Sequence, residues 1–240
     1  MADTSALRER MVRRQLQARG IRDPAVLDAM RSVPREAFLR PELAELAYED
    51  TPLPIERQQT ISQPYIVAFM AEALELEPGD RVLEVGTGSG YALAVLACIA
   101  REAWGIERHA ELAELAARRV RELGLHNAHV RHGDGSLGWP EHAPYDAIVV
   151  AAGGPGVPPA LLQQLAPGGR LVMPVGDEPT EQNLQRLRRA SEERFAAEKL
   201  SAVRFVPLIG AQGWDDGVPA EAGPVPPGPA PPGVAPQPAR

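Results

Sequence analysis

"RVLEVGTGSGY", Arg81 to Tyr91, is the stretch on which the fold turns. A short apolar run carries the acid Glu84 and ends at Val85, and three glycines follow at alternate positions, Gly86, Gly88 and Gly90. A buried strand that breaks into glycines and then into a helical run, here "YALAVLACIA", opens a βαβ unit. The pattern repeats downstream. "EAWGIE", "AHVRHGD", "YDAIVVAA" and "GRLVMPVG" are further runs rich in Val, Ile and Leu, and the helical runs "HAELAELAARRVRELG" and "PPALLQQLAPGG" separate most of them. This alternation predicts an α/β fold built on a doubly wound, Rossmann-like parallel sheet. "NLQRLRRA" and "SAVRFVPL" are candidate strands for an antiparallel pair that closes it.

In such a sheet ligands bind beyond the carboxyl ends of the strands, at the switch in strand order, and the glycine loop sits there. Its glycines let the backbone approach a ligand closely, and the next helix offers free N–H donors. The spacing is neither the usual dinucleotide loop nor a P-loop, which needs a following lysine. Glu84 would repel a pyrophosphate and favour a cation. S-adenosylmethionine, with an ammonium, a sulfonium and no phosphate, suits it, although the loop alone also fits a structural turn. Two further acids narrow the choice. Glu107 ends the second strand, where a carboxylate can accept both ribose hydroxyls. Asp134 ends the third, where an acid can accept an adenine amino group, with Gly135 leaving room beside it. Singly each acid reads as a solvated or capping residue. At three successive strand ends they point to a methyl donor.

The remaining chain bounds the rest. Its 240 residues suffice for one α/β domain with appendages, and the net charge of −7 argues against a nucleic-acid partner. The single cysteine, Cys98, excludes an intramolecular disulfide and reads as a buried packing thiol. Histidines 109, 126, 129, 132 and 142 show no metal-ligand spacing, so no metal is expected. "MADTSALRERMVRRQ" has charges where a signal peptide needs an apolar stretch, and no run approaches a membrane span, so the expected location is cytoplasmic, with no membrane partner. Residues 1–50 read as a helical layer. "TSALRERMVRRQLQARG" places Leu7, Met11 and Leu16 near one face and stops at Gly20, and a second helix starts with Asp23 as N-cap and Pro24 behind it. Prolines 34, 41, 52, 54 and 64 break the stretch that follows, leaving short helices and a structured loop before the helical "PYIVAFMAEALEL". Residues 51–216 form the expected methyltransferase domain, and 217–240, dominated by Pro, Gly and Ala, a disordered tail. The basic run "RLRRA" reads as a solvated strand face.

A resemblance sharpens the substrate. "MVRRQLQARGIRDPAVLDAMRSVPREAF", "QTISQPYIVAFMAEAL", "VLEVGTGSGY", "GDG", "PYDAIVVAA", "LAPGGRLVMPVG" and "VRFVPL" occur in that order, and together they resemble the protein-L-isoaspartate O-methyltransferase family from about Met11 to Leu208. The resemblance implies a class I S-adenosylmethionine-dependent methyltransferase fold with S-adenosylhomocysteine as product. It also implies methylation of the free α-carboxyl of L-isoaspartyl residues, often D-aspartyl ones too, in damaged proteins and peptides; the ester then cyclises to a succinimide. Ser62 matches the family's active-site serine, where the sequence alone would read a turn residue, and Thr60 and Ile61 match the residues before it. Ser89, Glu107, Arg108, Asp134 and Gly135 match cofactor positions, joining Glu84, Gly86 and Gly88, and the segment holding Val206 matches one beside the peptide substrate. Many members have glycines where this chain has Glu56 and Gln58, which bears on peptide preference. Two other readings stand beside repair: a relative that tailors an aspartate in a ribosomally made peptide, and a non-catalytic module that only binds S-adenosylmethionine.

Overall fold

The computed structural model describes residues 4–217; the expected tail lies, but for Gly217, outside the described residues. Helix α1 (Ser5–Met11) continues through a π turn (Val12–Leu16) and a 3-10 turn (Gln17–Arg19) to Gly20, whose φ of 97° ends it. Met11 and Leu16 are buried as expected, but Leu7 is 37% exposed because only the distal turns of this helix meet the core. Helix α2 (Pro24–Ser32) starts as its sequence dictates, with the Asp23 carboxylate accepting the N–H groups of Ala25 and Val26. The proline-broken stretch forms 3-10 turns and a small antiparallel hairpin, β1 (Leu53–Pro54) and β2 (Thr60–Ile61), which leads into α3 (Pro64–Leu74).

The sheet then alternates as predicted: β3 (Arg81–Val85), α4 (Tyr91–Ala97), β4 (Glu102–Glu107), α5 (Ala110–Glu122), β5 (Ala128–His132), β6 (Tyr145–Val150), α6 (Pro159–Gln164) and β7 (Leu165–Glu178). Two more strands follow, β8 (Glu181–Arg189) and β9 (Phe195–Val203), and the order across the sheet is β5-β4-β3-β6-β7-β8-β9. The first five are parallel and the last two antiparallel. From β3 the chain first moves outward to β4 and β5, then returns to β6 on the other side of β3. The β3 carboxyl end is therefore the switch point. The closing strand lies upstream of its expected place, because the chain leaves the sheet at Val203. Of "SAVRFVPL" only the first three residues belong to β9, while Pro207 makes a separate parallel bridge to Gly153.

Successive residues of these strands feed two cores. Val82, Ala103, Ala147, Val149 and Val172 join the helical layer with α3 and α4; Leu83, Trp104, Ile106, Ile148, Val150 and Leu171 join Leu161 of α6 on the opposite face. Burial on both faces is why the strand sequences read as continuous apolar runs rather than alternating ones. Helix α4 stops at Ala97, which leaves Cys98 as its C-cap and exposed rather than buried. The basic run on β8 is paired: Arg186 contacts Glu75 and Glu198 at 2.8 and 2.6 Å.

One side chain stitches the far end of α3 to the sheet. Arg170 donates from Nε to the Leu74 carbonyl (2.6 Å) and from Nη2 to Asp80 (2.8 Å), and also reaches the Asp146 and Glu75 carbonyls. Both charged partners are largely buried, at 12% and 14% exposure. Replacing Arg170 by Met would strand Asp80 and the carbonyls that end α3. Arg170→Met is expected to lower stability by about 3 kcal/mol, read from the urea unfolding midpoint.

Candidate active site

All three loop glycines adopt backbone that only glycine takes freely, with φ of 84° at Gly86, 53° at Gly88 and 92° at Gly90. The loop is braced from below. Gly86 and Thr87 donate their N–H groups to the Ile106 carbonyl (2.9 and 3.2 Å), and Gly88 donates to Glu107 Oε2 at 2.8 Å. The other Glu107 oxygen accepts the His109 N–H at 2.9 Å, so this buried acid has a donor on each oxygen. From above, the β1–β2 hairpin closes on the loop, with the Ile55 side chain beside Gly88.

Between them lies a cleft. Gln59, Thr60, Ile61 and Ser62 form one wall; Val206 to Ile209 form another; the floor is Glu84 and the glycine loop. Ser89, Glu107, Arg108 and Gly135 also line it, so the structure gathers every sequence-derived site residue but one. The exception is Asp134, whose carboxylate turns away. Its Oδ1 accepts the N–H and hydroxyl of Ser136 (2.9 and 2.7 Å), and its Oδ2 accepts the Ala211 N–H at 2.8 Å. It thus caps a 3-10 turn and holds the C-terminal segment, a contact too distant in sequence to foresee. Gly135 does line the cleft, and a Cβ there would sit 2.5 Å from Val85, so it is the close approach of β3 that demands glycine.

Glu84 is the electrostatic centre. It is 1% exposed, and its Oε2 has no hydrogen-bond partner among the described residues. Burial pushes its pKa well above the usual carboxylate range; a hydrogen bond from Thr87 opposes this, and the neighbouring Glu107 charge adds to it. An orphaned acid in a cleft is matched by a cationic group of a ligand, so the donor set fits the ammonium-bearing end of S-adenosylmethionine. Glu107, beside the loop, retains acceptor capacity for hydroxyls. Arg108 sits at the rim, paired with Asp216 at 2.8 Å. No histidine lines the cleft among the described residues.

The sequence did not disclose what shapes the Val206 wall. The Val206 carbonyl accepts the Gly153 N–H (2.8 Å), Leu208 donates to the Gly153 carbonyl (2.7 Å), and the Gln182 side chain pairs with both the N–H and the carbonyl of Phe205. At the hairpin tip, Arg57 and Gln58 are both left-handed (φ 58° and 57°), and Gln59 donates to the Glu56 carbonyl. Gln58 therefore occupies a backbone shape suited to glycine.

Comparison with known proteins bears on this site. The family model of protein-L-isoaspartate(D-aspartate) O-methyltransferases matches residues 7–213. The chain is 62% identical over 207 residues to protein-L-isoaspartate O-methyltransferase 2 of Pelobacter propionicus, covering 86% of this chain and 92% of the relative. It is 61% identical over 215 residues to protein-L-isoaspartate O-methyltransferase 1 of Rhodopseudomonas palustris, covering 90% and 88%. Among solved structures, a protein-L-isoaspartate O-methyltransferase superposes with a TM-score of 0.77 at 31% identity, over 86% of this chain and 67% of that one. A putative family member from Plasmodium falciparum, in complex with S-adenosyl-L-homocysteine, superposes with 0.71 at 26% identity, over 87% and 99%.

The orphaned acid gives a prediction with opposite signs for stability and binding. Because the folded state raises the Glu84 pKa above its unfolded value near 4.3, its penalty is absent below that pH and grows as pH rises toward the folded value. Glu84→Gln is therefore expected to stabilise the ligand-free protein at pH 7 by about 1 kcal/mol or more, with the gain shrinking on acidification. Urea unfolding across pH 4–7 measures this. The same variant should bind S-adenosylhomocysteine about tenfold or more weakly by calorimetry, having lost a charged acceptor.

Proposed function

The chain belongs to the protein-L-isoaspartate(D-aspartate) O-methyltransferase family and is an S-adenosylmethionine-dependent carboxyl methyltransferase of the protein-repair class; from this premise we propose how its own residues carry out the transfer. The observation that carries the proposal is the presence, in one cleft, of the Glu84 carboxylate, whose Oε2 has no hydrogen-bond partner among the described residues, and of Ser62.

S-adenosylmethionine, when bound, supplies an electrophilic methyl on a sulfonium and leaves as S-adenosylhomocysteine. Glu84 receives the cationic end, Gly86, Gly88 and Ser89 surround it, and Glu107 accepts the ribose hydroxyls. Gly135 and Arg108 line the same cleft. Asp134 acts there through Ala211, the backbone it grips, rather than by its own free oxygens. Thr60, Ile61 and Ser62 face the peptide from one side and Val206 from the other, with the Ser62 hydroxyl donating to the substrate α-carboxylate.

The chemistry needs no base. An isoaspartyl α-carboxyl, with a pKa of about 3.5, is ionised at neutral pH, so one of its oxygens forms the new O–CH3 bond without surrendering a proton. What the chain must supply is alignment, worth on the order of 7–11 kcal/mol when complete, and exclusion of water from the carboxylate. A cleft walled by backbone, hydroxyls and apolar side chains suits that task. Damaged proteins and peptides bearing L-isoaspartyl residues are the partners this reading assigns. No described helix is long and apolar enough to cross a membrane.

Incubation with methyl-labelled S-adenosylmethionine and two peptides differing only in isoaspartate or aspartate at one position tests the activity. Base-labile label is expected on the isoaspartyl peptide alone; label on the aspartyl peptide alone would overturn repair in favour of peptide tailoring. Ser62→Ala should lower kcat/KM on the isoaspartyl peptide by about 10- to 1000-fold, and an unchanged value would remove Ser62 from the mechanism.

A further inference from the structure

Ser62 sits between the last residue of β2 and the first turn of α3, and nothing in its own neighbourhood in the sequence fixes it. Pro64 at the first helical position has no N–H, and Gln63, the N-cap, makes no side-chain capping bond. The cap comes from elsewhere. Asp50 Oδ1 accepts the Tyr65 N–H at 3.2 Å, and Asp50 Oδ2 accepts the Gln63 side-chain amide at 2.7 Å. The same amide reaches the Asp50 carbonyl at 3.0 Å. One residue, distant in sequence, thus holds the two positions on the helix side of Ser62.

Asp50 is itself held. Arg19 binds its Oδ2 and lays its guanidinium over the Tyr65 ring, 3.6 Å from the centroid. Gln15, one turn before Arg19, donates to the Tyr48 carbonyl at 2.9 Å. The first helical segment therefore grips residues 48–50, and these grip 63–65. Asp50 and Arg19 keep only 21% and 22% of their side-chain surface exposed, so water competes weakly for these bonds.

We propose that Asp50 is a positioning residue for methyl transfer: as the remote cap of α3 it sets where the Ser62 hydroxyl stands, and through Arg19 it makes the helical layer part of the active-site scaffold. This rests on the reading of Ser62 given above. A displacement of the order of 1 Å in a group that aligns the reacting carboxylate lowers turnover by about 100-fold, so a cap that would otherwise affect only stability becomes a rate determinant here.

The test is a double-mutant cycle on the full chain with an isoaspartyl peptide, combining Asp50→Asn with Ser62→Ala. Asp50→Asn retains size but loses acceptor strength. It is expected to lower kcat/KM about 10- to 100-fold, mainly in kcat, while affinity for S-adenosylhomocysteine stays within about twofold. In the Ser62→Ala background the same change should cost no more than about twofold, because Asp50 then has no hydroxyl left to place. A purely structural role predicts full multiplication of the two losses, or a parallel loss of cofactor affinity, and either result overturns the proposal. So does an Asp50→Asn enzyme of unchanged turnover. If Ser62→Ala alone is fully active, the Ser62 reading fails first and the proposal falls with it, a result distinct from the others. Should Asp50→Asn not fold, Gln63→Leu removes two of the three bonds and enters the same cycle with the same expectation.

Discussion

The bond from the Gly88 N–H to the Glu107 carboxylate is the constraint on which the rest of the site depends. A loop with three left-handed residues has little reason to hold one shape by itself. Here its amides are committed in turn to the Ile106 carbonyl and to Glu107, so the end of β4 dictates the path of the loop after β3. That path delivers the chain to Tyr91, the first residue of α4. Tyr91 is where the helical layer takes hold: Phe38 meets its ring edge-on at 5.6 Å, and the wholly buried Arg35 lays its guanidinium 4.9 Å from the ring centre. Burial lowers the Arg35 pKa to about 10, which still leaves it charged at neutral pH. The loop, the helix it starts and the layer above are one mechanical unit.

Two buried acids share this unit and live differently. Glu107 has a backbone donor on each oxygen. Glu84, on the adjacent strand, has burial without sufficient compensation, and the Glu107 charge nearby makes its ionisation harder still. Such an unsatisfied group lowers the stability of the free protein and becomes favourable once a cation faces it.

The walls are closed by contacts between residues far apart in the chain. Asp134 and Ser136 hold Ala211 and Gln212, Trp214 donates to the Gly153 carbonyl, and Arg108 pairs with Asp216. The last described residues are thus laid across the ends of the central strands. On the opposite wall, the Asp50 cap fixes the Ser62 segment. Both walls are backbone held by remote side chains.

Much of this was legible in the residues. The change from helical periodicity to short Val- and Ile-rich runs at Arg81 marks the sheet, because strands buried on both faces must be apolar throughout. Asp23 with Pro24 marks a helix start, because their chemistry is local. The acids Glu84 and Glu107 at successive strand ends mark the cleft, because parallel strands bring their carboxyl ends together whatever lies between. The sequence could not say which way those acids point. Asp134 turned from the cleft to Ala211, Cys98 emerged at the surface where α4 stopped at Ala97, and β9 moved upstream of the segment that carries Val206. Local propensity and periodicity fix what a segment becomes, and so the sequence by itself determined the architecture and the place of the cleft. The contacts of Asp134 with Ala211 and of Asp50 with Arg19 join segments tens of residues apart, and only the tertiary structure decided those.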